Sequence, residues 1–286
     1  MTNKVYINGV IYDANDAKVS IFDRGYLFSD GVYELIPYFN SKPFLIEEHY
    51  SRLKKSLKML ELENPYNKNE WFSRIERLLK SCQFDNYYLY IQVTRGWPRN
   101  FDDNILREHA ATKDYQTCIS MFYSKINSLK NRKTLSKKAI TMEDKRWMQC
   151  DIKSVSLLYN SYAKTIAHKK GAYEAILVRD GYVTEGCSSN VFVIKDNVIY
   201  TSPESNLILP GVTRLFVIND VIKDNGYDIR IESFSEDDLL NADEIFITNS
   251  TQGILPITHI NDKLVNNNKN SKISQKLQEI FITKIN

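Results

Sequence analysis

Two short apolar runs, Val5-Tyr6-Ile7 and Val10-Ile11-Tyr12, lie on either side of the polar Asn8-Gly9. Asn-Gly between two such runs predicts a two-residue hairpin, because both turn positions accept positive φ. A longer apolar run, Val32 to Phe39, follows Asp30-Gly31 and turns at Asn40-Ser41-Lys42 into Pro43-Phe44-Leu45. The pattern then changes. Ile46 to Leu62 places Leu53, Leu57 and Leu60 on one face of a helix, and Asn69 to Cys82 does the same with Trp71, Ile75, Leu78 and Leu79. Tyr87 to Thr94 returns to a strand, with Leu89, Ile91 and Val93 alternating against Tyr88, Tyr90 and Gln92, and Gln116 to Tyr123 is another. These elements predict an α+β domain on an antiparallel sheet over residues 1–126.

Residues 127–137 are polar and basic without periodicity and are expected to be a linker. Beyond it, 138–286 is expected to form a larger domain of many short strands with few helices, barrel-like or sandwich-like. Its predicted strands are Lys138 to Met142, Tyr173 to Val178, Gly181 to Thr184, Asn190 to Ile194, Val198 to Thr201 and Glu244 to Thr248. Its predicted helices are Ser154 to Lys170, Gly211 to Asn225 ended by Gly226, and Ser274 to Lys284.

The chain has 286 residues, 43% hydrophobic and 26% charged, ordinary for a globular protein. A net charge of +3 with scattered basic residues argues against a nucleic-acid partner. Cys82, Cys118, Cys150 and Cys187 are too far apart for a metal or redox motif, which points to reduced thiols in the cytoplasm and to no metal. No apolar run reaches membrane-spanning length, so no membrane association is expected.

Chemistry enters at Arg146-Trp147-Met148-Gln149-Cys150-Asp151-Ile152-Lys153-Ser154. Cys150 and Ile152 are expected to face inward on a short extended segment anchored by Trp147. Lys153 then sits at a strand-to-helix junction, where partial desolvation frees an amine to act as nucleophile or base. Three further stretches suit an anionic, ring-bearing cofactor. Glu185, in Thr184-Glu185-Gly186-Cys187-Ser188-Ser189-Asn190, is a carboxylate at a strand end that can hydrogen-bond a ring nitrogen. Leu209-Pro210-Gly211-Val212-Thr213-Arg214 opens a helix whose first N–H groups can bind phosphate. Thr248-Asn249-Ser250-Thr251 adds hydroxyl donors. Each has an ordinary alternative: a surface lysine, a surface carboxylate, a plain helix start, a turn. No GxGxxG or P-loop pattern is present, which argues against a nucleotide.

With these pieces in order, the chain resembles the class IV aminotransferases, the fold-type IV pyridoxal-phosphate enzymes, and among them the D-amino acid aminotransferases. The likeness runs through Asp23-Arg24-Gly25-Tyr26, Asp30-Gly31-Val32-Tyr33-Glu34, Glu48-His49 with Arg52-Leu53, Gln92-Val93-Thr94-Arg95-Gly96, Cys150 to Ser154, Tyr173 to Leu177, Thr184 to Phe192 and Pro210 to Arg214. The resemblance implies a two-domain α+β fold, pyridoxal 5'-phosphate as cofactor, an amino acid and a 2-oxo acid as substrates, and a homodimer. Lys153 would hold the cofactor covalently and move the proton at the substrate Cα. Glu185 would pair with the pyridine nitrogen. Arg52 would clamp the phosphate with Val212, Thr213 and Ser250, and Leu209 would pack on the ring. Arg146 would lie near the ring hydroxyl or form a structural ion pair. Tyr33 and Arg99 would bind the substrate carboxylate, with Tyr90 lining the pocket. His49 would pack or cap locally.

The loop Arg95-Gly96-Trp97-Pro98-Arg99-Asn100-Phe101 is one residue shorter than the family's carboxylate-binding loop, and Phe101 stands where the D-amino acid enzymes carry a histidine. The same scaffold would also serve a branched-chain L-amino acid aminotransferase or an aminodeoxychorismate lyase, or a cofactor-binding protein without turnover.

Overall fold

A computed structural model of the chain describes residues 4–100, 107–129, 137–265 and 272–285. Most of the predicted linker, and Phe101, lie outside the described residues. The chain divides into two compact units, Met1–Asn127 with Ile152–Ser156, and Ser128–Asp151 with Leu157–Asn286.

In the first unit the strands are β1 (Lys4–Ile7), β2 (Val10–Asp13), β3 (Gly31–Phe39), β4 (Lys42–Pro43), β5 (Tyr87–Pro98) and β6 (Tyr115–Lys125). They form one antiparallel sheet in the order β2-β1-β6-β5-β3-β4. Asn8 and Gly9 take φ of 46° and 97°, as the hairpin requires. One face of the sheet buries Leu89, Ile91 and Val93 against α2 (Ile46–Met59) and α3 (Lys68–Leu79), whose Leu53, Leu57, Trp71, Ile75 and Leu78 complete the core. Each such fully buried aliphatic side chain stabilises the fold by about 1.5–3 kcal/mol. A capping box at α3, Asn67 with Glu70, fixes its start at Lys68, one residue before the predicted Asn69. A short helix, α1 (Arg24–Phe28), begins at an Asp23 cap.

The second unit carries β7 (Lys137–Glu143), α4 (Leu158–Lys169), β8 (Glu174–Arg179), β9 (Tyr182–Gly186), β10 (Asn190–Lys195), β11 (Val198–Thr201) and α5 (Val212–Phe216). They are followed by β12 (Ile229–Ile231), α6 (Glu236–Leu240), β13 (Glu244–Asn249), β14 (Gly253–Ile260), β15 (Lys263–Leu264) and α7 (Ile273–Lys284). Eight strands run in the order β12-β11-β10-β13-β14-β7-β8-β9, with β15 paired to β14. Phe192 and Phe246, both fully buried, stack at 4.6 Å between ring centroids in its interior.

Four expectations need correction. Residues 152–156 do not open a helix. Ser154 pairs with Val32, and Val155 N–H donates to the Gly31 carbonyl, so the backbone there is spent on β3 and α4 begins only at Leu158. The same bonds group Ile152–Ser156 with the first unit and not with 138–286. Trp147 is 42% exposed and anchors nothing, whereas Cys150 and Ile152 are buried as expected. The helix after Gly211 is α-helical only to Phe216. It continues as π-helical turns over Val217–Ile222 and a tight turn over Lys223–Asn225 before the Gly226 cap.

Candidate functional site

In the first unit, Lys153 lies on an extended strip beside β3. Tyr33 N–H donates to the Lys153 carbonyl at 2.9 Å, and Lys153 N–H donates to Ser56 Oγ on α2 at 3.2 Å. Cross-strand neighbours share a sheet face, so the Lys153 side chain lies over Tyr33, with Nζ 4.3 Å from the ring centroid. Tyr33 stacks on Tyr90 at 5.5 Å, and Tyr90 stacks on Phe122 at 4.8 Å. The Tyr90 hydroxyl donates to Gln92 Oε1 at 2.8 Å, and burial with neighbouring tyrosines pushes its pKa up. Lys153, Tyr33 and Tyr90, three of the residues singled out from sequence, are thus adjacent on a half-buried aromatic face.

Glu34 follows Tyr33 and points to the opposite, buried face. Its carboxylate accepts from Arg52 Nε at 2.8 Å and Nη2 at 2.9 Å, and from His49 Nδ1 at 2.7 Å. Burial opposes ionisation of Glu34, but Arg52 and His49 overcome it and hold the pKa far below the usual carboxylate range. Burial, helped by Arg52 and Lys153, depresses the pKa of His49 despite Glu34. A neutral His49 donating from Nδ1 then presents a bare acceptor at Nε2, which is buried without a hydrogen-bond partner. His49 is therefore part of a charge cluster and not a local cap. Arg99 lies elsewhere on this unit, half-exposed and paired with Asp114 at 3.3 Å. A cleft of about 330 Å3 between α1 and the end of β5 contains none of these residues.

In the second unit Glu185 is the penultimate residue of β9 and is buried. Its carboxylate accepts from Arg146 Nη1 at 2.5 Å, Asn190 Nδ2 at 3.1 Å and Leu209 N–H at 3.1 Å. Burial nevertheless pushes its pKa up to about 7 against these three donors. Arg146 is itself forked onto Asp144, Nε at 2.9 Å and Nη2 at 2.8 Å, so of its two expected roles the structure displays the ion pair. Asp144 also accepts from Thr184 Oγ1 at 2.9 Å and lies 3.2 Å from Arg179. Val212 and Thr213 begin α5, and Leu209 precedes it half-buried. Ser250 sits in a turn shaped by Asn249 Oδ1, which accepts from the N–H groups of Thr251 and Gln252.

This unit fits pyridoxal phosphate on two observations. Thr213 Oγ1 and Thr248 Oγ1 are buried without partners, and an anionic oxygen would satisfy such donors. A buried carboxylate poised near neutrality would gain a charge-assisted bond from a protonated ring nitrogen. Among the described residues no group of three or more His, Cys, Asp or Glu could hold a metal ion, and no helix is long and apolar enough to cross a membrane. Sequence reasoning gave no role to Glu34, Asp144 or Asn190, whereas Thr248 was among the hydroxyl donors it singled out. The signal for Glu34 was a carboxylate on the inward register of an apolar strand; for Asn190 it was its place at the end of the Glu185 turn.

Residues 31–260 match the family described as amino-transferase class IV. The chain is 38% identical over 275 residues to the D-alanine aminotransferase of Bacillus licheniformis, covering 96% of this chain and 94% of that one. It is 40% identical over 286 residues to the D-alanine aminotransferase of Listeria monocytogenes, covering 99% and 96%. Among solved structures, the branched-chain aminotransferase of the thermophilic archaeon Thermoproteus uzoniensis superimposes with a TM-score of 0.84, covering 100% of this chain and 95% of that one. Identity there is 23%, so that likeness is one of fold.

Proposed function

We propose that this chain, which belongs to the class IV amino-transferases, takes a D-amino acid as its amino donor. It has the fold-type IV architecture, an α+β N-terminal part and a larger sheet-rich part, and it is a pyridoxal 5'-phosphate-dependent aminotransferase acting between an amino acid and a 2-oxo acid. The observation that carries the choice of a D-amino acid is identity of 38–40% with D-alanine aminotransferases along nearly the whole chain.

Pyridoxal phosphate supplies the electron sink that makes the substrate Cα–H acidic. The residues have the following roles. Lys153 is the covalent attachment point and the acid/base at the substrate Cα; its extended backbone, bonded on both sides, fixes where the amine can reach. Glu185 faces the ring nitrogen. Arg52 takes the phosphate with the Val212 and Thr213 N–H groups and Ser250, and Glu34 sets the plane of its guanidinium. Leu209 would pack against the ring. Tyr33 and Arg99 receive the substrate carboxylate, and Tyr90 lines the pocket.

The active form is a homodimer. Leu158 and Tyr162, 86% and 55% exposed on α4, support it as apolar surface for a second copy to cover. Four free cysteines support a reducing, cytoplasmic setting.

The test is a set of half-reactions with D-alanine, D-glutamate, L-leucine and L-glutamate, followed by the cofactor's absorbance. Conversion with the D-amino acids is expected. Conversion with the L-amino acids alone would overturn the donor assignment and favour the branched-chain alternative.

A further inference from the structure

We propose that Asn190 is a positioning residue that locks the Glu185 carboxylate and the Leu209–Gly211 turn at one fixed spacing. The inference rests on the reading of Glu185 and the Leu209 turn as cofactor contacts. Asn190 is the first residue of β10 and is 6% exposed. Its backbone is pinned in the ladder opposite Thr248 on β13. The amide nitrogen donates to Glu185 Oε2 at 3.1 Å and to the Leu209 carbonyl at 3.0 Å. The Leu209 carbonyl only accepts, so the NH2 end must face this pair of partners. Leu209 N–H returns to Glu185 Oε2 at 3.1 Å, which closes the ring of contacts.

The other end of the amide explains Gly211. A Cβ there would stand 2.1 Å from Asn190 Oδ1 and 3.2 Å from Arg214 Cβ. Gly211 has φ of −68°, open to any residue, so space and not backbone freedom demands glycine. One side chain therefore touches the ring-nitrogen carboxylate on one side and the residue preceding α5 on the other. Aspartate would lose both donors and repel Glu185; serine would be too short to reach both acceptors.

The test uses holoenzyme of wild type, Glu185→Gln, Asn190→Ser, Gly211→Ala, and the doubles Glu185→Gln/Asn190→Ser and Asn190→Ser/Gly211→Ala. The readouts are the half-reaction rate, the dissociation constant of pyridoxal 5'-phosphate from each apoprotein, and the apoprotein unfolding midpoint. Asn190→Ser is expected to lose about tenfold or more in rate and in cofactor affinity, the scale of one charge-assisted hydrogen bond. It should cost much less in the Glu185→Gln background than in wild type, because it acts largely through that carboxylate. Gly211→Ala should lose a similar factor with Asn190 in place and regain most of it in Asn190→Ser, where the clash is gone.

Additive losses in the Glu185→Gln background would make Asn190 merely structural and overturn the proposal. Wild-type behaviour of both Asn190→Ser and Gly211→Ala, with Glu185→Gln impaired, would overturn it alone. Wild-type behaviour of Glu185→Gln would overturn the Glu185 role and this inference with it. Should Asn190→Ser fail to fold, Gly211→Ala decides: loss of rate and affinity at an unchanged midpoint supports the coupling, and wild-type values refute it.

Discussion

Glu185 offers a test of the cofactor pocket that needs no substrate. Its carboxyl is pushed from an ordinary 4.5 to about 7 by burial, even with Arg146, Asn190 and Leu209 donating to it. A raised folded-state pKa means the native state holds the proton more tightly than the unfolded chain. The resulting stabilisation is fully present below about pH 4.5 and is lost as pH rises through about 7. At about 1.4 kcal/mol per tenfold change in proton affinity, the swing is on the order of 3 kcal/mol. In the cofactor-free protein, wild type should therefore lose about 3 kcal/mol of unfolding free energy relative to Glu185→Gln between pH 4.5 and 8. Urea unfolding of the two apoproteins across that range measures it, and the subtraction cancels every other titrating group. If the two stability curves run parallel, Glu185 binds its proton no more tightly in the native apoprotein than in the unfolded chain. The picture of a neutral-poised carboxylate awaiting a protonated ring nitrogen is then wrong.

Two further outcomes follow from the same structure. Borohydride reduction of the holoenzyme should fix the cofactor to Lys153, seen by peptide mass, and Lys153→Ala should lose both adduct and turnover; an adduct at Lys164, beside Glu174, would refute the assignment. Arg52→Ala should weaken cofactor retention on dialysis and also cost about 3–5 kcal/mol of unfolding stability, because Glu34 is left buried with only His49; stability within about 1 kcal/mol of wild type would contradict the buried fork.

What the sequence revealed and what it hid divide along physical lines. The alternation in Tyr87 to Thr94 named the buried face of β5 because a period of two survives wherever one sheet face is dry. The helices α2 and α3 were legible from Leu53, Leu57, Trp71 and Ile75 for the same reason at a longer period. β14 was not legible. Its Pro256 argues against a strand between two neighbours, yet the strand tolerates it because pairing with β7 starts only at Ile257. From Ser154 onward the residues read locally as part of the helical pattern that runs to Lys170. Only a long-range partner, Val32, shows that the strip around Lys153 is extended. Lys153, Glu185 and the Leu209 turn were visible as residue types in motifs. Their supporting contacts, Glu34 under Arg52 and Asn190 between Glu185 and Leu209, join residues 18, 5 and 19 positions apart. None of those spacings forms a local pattern.

The register of β3 carries the last step. Tyr33 and Glu34 are consecutive, so the pleat sends them to opposite faces. Tyr33 goes to the aromatic face, where the Lys153 amine lies over it, and Glu34 goes to the buried face, where Arg52 and His49 close on it. Val32 and Ile36, 0% and 2% exposed, share the inward face with Glu34 and pack in the core. A slip of one residue would bring Val32, Glu34 and Ile36 to the aromatic face and send Tyr33 inward. It would expose two core side chains and strand Arg52 without its carboxylate. The apolar residues that make β3 fold in one register are thus what keep the lysine's ring neighbour and the arginine's anchor on their respective faces. The same constraint makes Glu34, a carboxylate with no exposed surface, tolerable in the core: its two donors, His49 and Arg52, both reach it from α2, four and seven positions from the Leu45 that caps that helix.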